Sequence, residues 1–166
     1  MASHLIPSTH TGSLPRPDDL IQLMWAVGDG IPVDKAALDA RVSKAIQEVV
    51  NKQVAAGVTI INDGEMSKPS YATYVKDRLS GFAGESIQNY FFDDLVDFPR
   101  SAEAVAGNPG RRKRSAPACT SPLADIDRDA AVKDMVELSA AAKKANHEKI
   151  FTSAASPGVV SLFFGN

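Results

Sequence analysis

VAAGVTIINDGE, residues 54–65, strings three local instructions together in one short run. Val54 closes an apolar series, Leu38, Val42, Ile46, Val49, Val50 and Val54, whose spacing is helical. Asp34 stands ahead of that series as an N-cap, and Gly57 supplies the stop. Val58-Thr59-Ile60-Ile61 follows at once, β-branched and too apolar for an exposed edge, so it reads as a buried strand. Asn62-Asp63-Gly64-Glu65 ends it in a polar turn. A long helix, a glycine break, a buried strand and a polar strand-end loop are what a parallel α/β sheet requires in sequence.

Working outward, Leu5–Ser8 is a first short strand and runs into HTGSLPRP, residues 10–17. Asp18–Val27 reads as a short helix capped by the aspartates after Pro17, and Ser70–Leu79 as another. Residues 81–115 form an irregular insertion between strands two and three, with Tyr90, Phe91, Phe92 and Phe98 and then the basic run Arg111–Arg114. Ala116–Ser121 is a third strand candidate. Asp127 or Asp129 caps the next helix, with Val132, Met135 and Val136 on one face and Lys143-Lys144 favourably near its C-terminal end. Ile150–Ala155 is a fourth strand, ending in Ser156-Pro157-Gly158.

The expected fold class is α/β, with residues 1–166 as a single domain. Two architectures fit: the first four βα units of a TIM barrel, or a small doubly wound open parallel sheet. A full barrel takes about 250 residues, so four strands would make an incomplete one with unpaired edges. Phe163 and Phe164 near the chain end favour the half barrel, with the remainder supplied elsewhere or by a partner. A homo-oligomer or a second half barrel would cover the open edges.

The bulk numbers narrow the function classes. The chain has 166 residues, 44% hydrophobic and 23% charged, with a formal charge of −2. That balance gives no general attraction to nucleic acid or to an anionic membrane. One cysteine, Cys119, excludes an intrachain disulfide and fits a reducing compartment. No apolar run approaches the roughly 20 residues of a membrane span, and the first residues do not resemble a signal peptide. A cytoplasmic protein is expected.

In parallel α/β sheets the chemistry collects where strands end. Here the strand ends are TGSLPR, NDGE, TSP and ASPG, each rich in small residues. Glycine lets backbone approach a ligand, and loop N–H groups with the Ser13 hydroxyl suit a carboxylate. A tight turn with a local serine hydrogen bond accounts for the same letters. A carboxylate such as Glu65 at the end of a buried strand is placed to pair with an ammonium, or to sit favourably at a helix start. Asp63 either contributes to the same pocket or closes the turn.

Set in order, HTGSLPRP, AAGVTIINDGE, PACTSP and TSAASPGVV resemble cobalamin-independent methionine synthase. They are closer still to the shorter proteins related to its C-terminal catalytic barrel, including the epoxyalkane:coenzyme M transferases. The resemblance implies a TIM-barrel fold and a zinc ion that activates a thiol to attack an electrophilic carbon. In methionine synthase the thiol is homocysteine and the methyl donor is methyltetrahydrofolate. It also implies that Thr11, Gly12 and Ser13 hold the amino-acid part of the thiol substrate, while Glu65 contacts its amino group. The family's zinc ligands belong to the second half of the barrel, so no metal ligand is expected in this chain. His4, His10, His147 and Cys119 agree, having no ligand-like spacing.

The remaining candidates divide more evenly. His10 is either a donor to substrate or a turn residue. Arg16, between prolines, either binds an anion or ties its loop to Asp18 or Asp19, the second being favoured. Tyr71, Tyr74 and Arg78 share one helical face, at the pocket or packed on the rim. Ser121 and Ser156 end strands three and four. Cys119 reads as a small buried hydrophobe, and Arg111–Arg114 as a solvated loop or a site for an anionic substrate tail. Three functional readings follow: zinc-dependent methyl or alkyl transfer to a thiol, with this chain as the substrate-orienting half and inactive alone; a non-catalytic fragment or half-barrel subunit needing a partner; or a metal-independent enzyme like the uroporphyrinogen decarboxylases.

Overall fold

Three stretches of backbone lie side by side in parallel in the computed structural model, which describes residues 6–70, 73–86, 93–106 and 116–165. Thr9 pairs with Ile60, and Ile61 with Ile150. The amide of Ile60 donates to Ser8 O at 2.9 Å, Ile61 to Lys149 O at 3.0 Å and Phe151 to Ile61 O at 3.1 Å. Among the described residues these are isolated bridges rather than the continuous strands expected; they bring together the first, second and fourth expected strand stretches, with the second in the middle.

The helices are α1 (Asp18–Gly28), α2 (Lys35–Ala55), α3 (Asp94–Asp97), α4 (Pro99–Ala106), α5 (Arg128–Lys144) and α6 (Pro157–Phe163). Two compact units contain them. One comprises Met1–Tyr74 with Asp127–Ala154, the other Val75–Ile126 with Ala155–Asn166.

In the first unit α2 packs on α1 and on α5. Asp34 caps α2 by accepting from Ala36 N at 2.9 Å, and Gly57 follows its end at φ +78°. Asp127, rather than Asp129, caps α5, accepting from Ala130 N at 3.0 Å. The core joins Leu20 and Met24 of α1, Val42, Ala45, Ile46, Val49 and Val50 of α2, Ile61, Met66, and Leu138, Ala141 and Ala142 of α5. One expectation fails here. Asp18 and Asp19 do not cap α1; Asp19 instead holds Arg41, with Oδ2 2.6 Å from Nε. The face of α5 that carries Val132, Met135 and Val136 is exposed. The buried stripe is Asp134, Leu138, Ala141 and Ala142, because Asp134 has a partner inside that its charge alone does not announce.

The second unit corrects the third strand. Ala118–Cys119 (β2) pairs antiparallel with Phe82–Ala83 (β1), in the register Phe82 to Cys119 and Ala83 to Ala118. Beside this pairing, Cys119 N donates to Gly165 O at 2.7 Å and Thr120 N to Gly81 O at 2.8 Å. The short helix expected over 70–79 is a 3-10 turn at Thr73–Asp77. Phe164 is buried, its ring centroid 4.4 Å from that of Phe82, so an apolar end awaiting cover is not what it signals. Tyr71, Tyr90–Phe92 and Arg111–Arg114 lie outside the described residues. Among the described residues no helix is long and apolar enough to cross a membrane.

Candidate functional site

The loops after the first and second parallel segments interlock. Gly12 turns the first at φ +92°, and Leu14 N then donates to Gly64 O at 3.0 Å. Ser13 Oγ donates to Glu65 Oε2 at 2.5 Å. Arg16 reaches across with Nη2, donating to Glu65 O at 2.6 Å and to Lys68 O. Arg16 thus ties its loop to the neighbouring loop's backbone carbonyls, a role the sequence reading did not consider.

The second loop is built around a buried asparagine. Asn62 Nδ2 donates to His10 O at 2.5 Å, and its Oδ1 accepts from Gly64 N at 2.8 Å. Gln53 of α2 holds it on the backbone: Asn62 N donates to Gln53 Oε1 at 3.1 Å, and Gln53 Nε2 to Asn62 O at 2.8 Å. Two successive residues then turn left-handed, Gly64 at φ +59° and Glu65 at φ +58°. For a non-glycine residue that conformation costs roughly 1–3 kcal/mol and persists where its surroundings enforce it, often at functional sites. The cost is met here while Glu65 is only 5% exposed.

Charge lies beneath the turn. Asp63, 1% exposed, accepts from Glu65 N on Oδ1 at 3.0 Å and stands 3.3 Å from Lys68 Nζ on Oδ2. Lys68, 3% exposed, also lies 3.8 Å from Asp134 Oδ2 and 5.8 Å from the Tyr74 ring centre. Groups this deep stay ionic only when paired and hydrogen-bonded.

The structure sorts the sequence candidates. Ser13 and Glu65 meet, with Thr11 and Gly12 on the same loop. Both Asp63 oxygens are engaged in the turn. His10 shares only its carbonyl with this network; its ring lines a separate cavity of about 420 Å³ with Leu14, Pro17, Val49, Lys52 and Met66, where Nε2 has no hydrogen-bond partner. Ser156 caps α6 through Val159 N at 3.2 Å, Ser121 N bonds Gly81 O at 3.3 Å and His147 Nε2 lies 3.0 Å from Thr59 O. Among the described residues no three His, Cys, Asp or Glu side chains come together as a metal site.

Chemically, the arrangement presents one buried carboxylate oxygen pair, an exposed hydroxyl and loop amides at a strand end. A carboxylate in low dielectric is a strong acceptor for an ammonium. The Ser13 hydroxyl can turn from Glu65 to a second ligand group, since a hydroxyl both donates and accepts. Sequence reasoning missed Gln53, Lys68 and Asp134 as members of this assembly, read Asn62 only as part of the polar turn, and gave Arg16 other partners. Gln53 carried a signal: it is the polar residue in an otherwise apolar helical stripe with Ile46, Val49 and Val50.

No protein-family model matches the sequence, and no curated protein matches it in sequence. Among solved structures, the chain shares its fold with a B12-independent methionine synthase from Shewanella sp. W3-18-1, determined in complex with selenomethionine. That TIM-barrel enzyme superposes with a TM-score of 0.60 at 17% identity, over 97% of this chain. The chain spans 41% of that enzyme's length.

Proposed function

We propose that this chain is the substrate-orienting part of a methionine-synthase-like transferase, acting on a thiol that carries an α-amino-acid group, such as homocysteine. The observation that carries the reading is the Ser13–Glu65 contact, which brings a hydroxyl from one strand-end loop onto a buried carboxylate of the next. In this reading Glu65 takes the substrate's ammonium, while Ser13 and the Thr11–Ser13 amides hold its carboxylate. Fixing both ends of the amino-acid group aims the side-chain sulfur in one direction, and such orientation is a large share of what an enzyme contributes. The fold shared with a methionine synthase and the four motifs support it.

The described residues do not fit a zinc centre, lacking three convergent donors. Zinc donors in the second half of the family's barrel rest on the motif resemblance, and Thr11–Ser13 and Glu65 are assigned substrate orientation alone. Methyltetrahydrofolate as methyl donor rests on the motif resemblance only. The test is calorimetric titration of the chain with L-homocysteine and with 4-mercaptobutyrate, which keeps the thiol, carboxylate and chain length but lacks the ammonium. The wild type should prefer homocysteine, and Glu65→Gln should abolish the preference. Equal binding of homocysteine by wild type and Glu65→Gln would remove the reading.

A second reading, a subunit that functions only beside a partner, draws on the chain's 41% share of the enzyme it resembles in fold. Solution mass distinguishes it, a monomer at all concentrations counting against it.

A further inference from the structure

Glu65 holds a backbone conformation that ordinary residues avoid, at φ +58°. Its amide is tied to Asp63 Oδ1 at 3.0 Å, and the other oxygen of that carboxylate faces Lys68 Nζ at 3.3 Å. Lys68 closes the loop from its own side as well, its amide donating to Glu65 O at 3.0 Å. Its ammonium then reaches Asp134, which stands on α5, the helix preceding the third parallel segment. Asp63 and Lys68 in series thus link the Glu65 backbone to a helix of a different connection.

Packing alone does not account for an aspartate at 134. The same stripe of α5 buries Leu138, Ala141 and Ala142, and an apolar side chain at 134 would continue it without burying charge. What the charge adds is a directed contact to Lys68. We propose that Lys68 and Asp134 are positioning residues: by fixing the Asp63 carboxylate they lock the left-handed Glu65 backbone and aim the Glu65 carboxylate at Ser13. Neither needs to touch a ligand. The ligand half of this inference rests on the function proposed above; the backbone half does not.

The experiment uses the full chain and two readouts, amide hydrogen exchange and NMR titration with L-homocysteine. Asp134→Asn should speed exchange of the Glu65 amide while the α2 core amides of Val49 and Val50 stay protected. It should also weaken homocysteine binding roughly 2- to 30-fold, the range for network residues that contact no ligand. Asp134→Glu should recover part of both. Lys68→Met should act more strongly; should it fail to fold, Asp134→Asn, which keeps the Lys68–Asp63 pair, still decides. Uniform loss of protection across the first unit, or an unchanged Glu65 amide, overturns the positioning role and leaves only a stabilising ion pair. If wild type binds no homocysteine, the proposed function fails, while the exchange comparison continues to test the backbone half.

Discussion

Gly64→Ala tests whether the two strand-end loops are as tightly clamped as the structure shows. Gly64 sits at φ +59°, which costs an L-residue about 1–2 kcal/mol. A Cβ there would lie 3.0 Å from Leu14 Cβ, 3.2 Å from Met66 Cε and 3.3 Å from Leu14 Cδ1. The Met66 methyl can swing away, but Leu14 Cβ moves only if its loop moves. That loop is held by Leu14 N on Gly64 O, so the clash adds about 1–2 kcal/mol. The total is about 2–4 kcal/mol, a large part of a typical domain's stability. Gly57→Ala is the control, with φ +78° and nothing within 4 Å of the added carbon. It should cost only the backbone share, about 1–2 kcal/mol. Urea titration at constant slope measures both through the midpoint. Equal losses for the two variants, or less than about 1 kcal/mol for Gly64→Ala, would refute the clamped-loop reasoning.

Ile46→Ala, at a fully buried position facing the α1 and α5 core residues, should destabilise by about 2–5 kcal/mol in the same assay. Asp34→Ala removes the acceptor for two α2 amides and should cost about 1 kcal/mol, without affecting ligand binding. Hydrogen bonding from Arg41, opposed in part by desolvation, holds the Asp19 carboxyl below the usual carboxylate range. A depressed folded value stabilises at pH above the unfolded one, and that contribution is lost as pH falls through the folded one. Asp19→Asn should therefore flatten the fall of stability below about pH 4, as read by unfolding at stepped pH; an unchanged slope would contradict the pairing.

What the letters disclosed was local. The α2 stripe, its Asp34 cap and the Gly57 stop follow from spacing and residue type, and all three appear; of the expected buried strand Val58–Ile61 only Ile61 is buried, and only Ile60 and Ile61 pair. Ala116–Ser121 went wrong because a short apolar run says nothing about its pairing partner, here Phe82–Ala83. The place of Asp134 on the inward face of α5 was not legible, because only the fold brings Lys68 to it. The site shows the same division. Ser13 and Glu65 stood out as polar groups at strand ends, whereas Arg16 and Lys68 act through contacts 49 and 5 residues away that no spacing rule encodes.

The most direct test of the central claim is an amide-resolved NMR titration of the wild-type chain with L-homocysteine. The account predicts shifts centred on Gly12, Ser13, Gly64 and Glu65, with Ala56 and Val58 at the His10 cavity unmoved. Shifts centred on that cavity instead, or none at all, would contradict it.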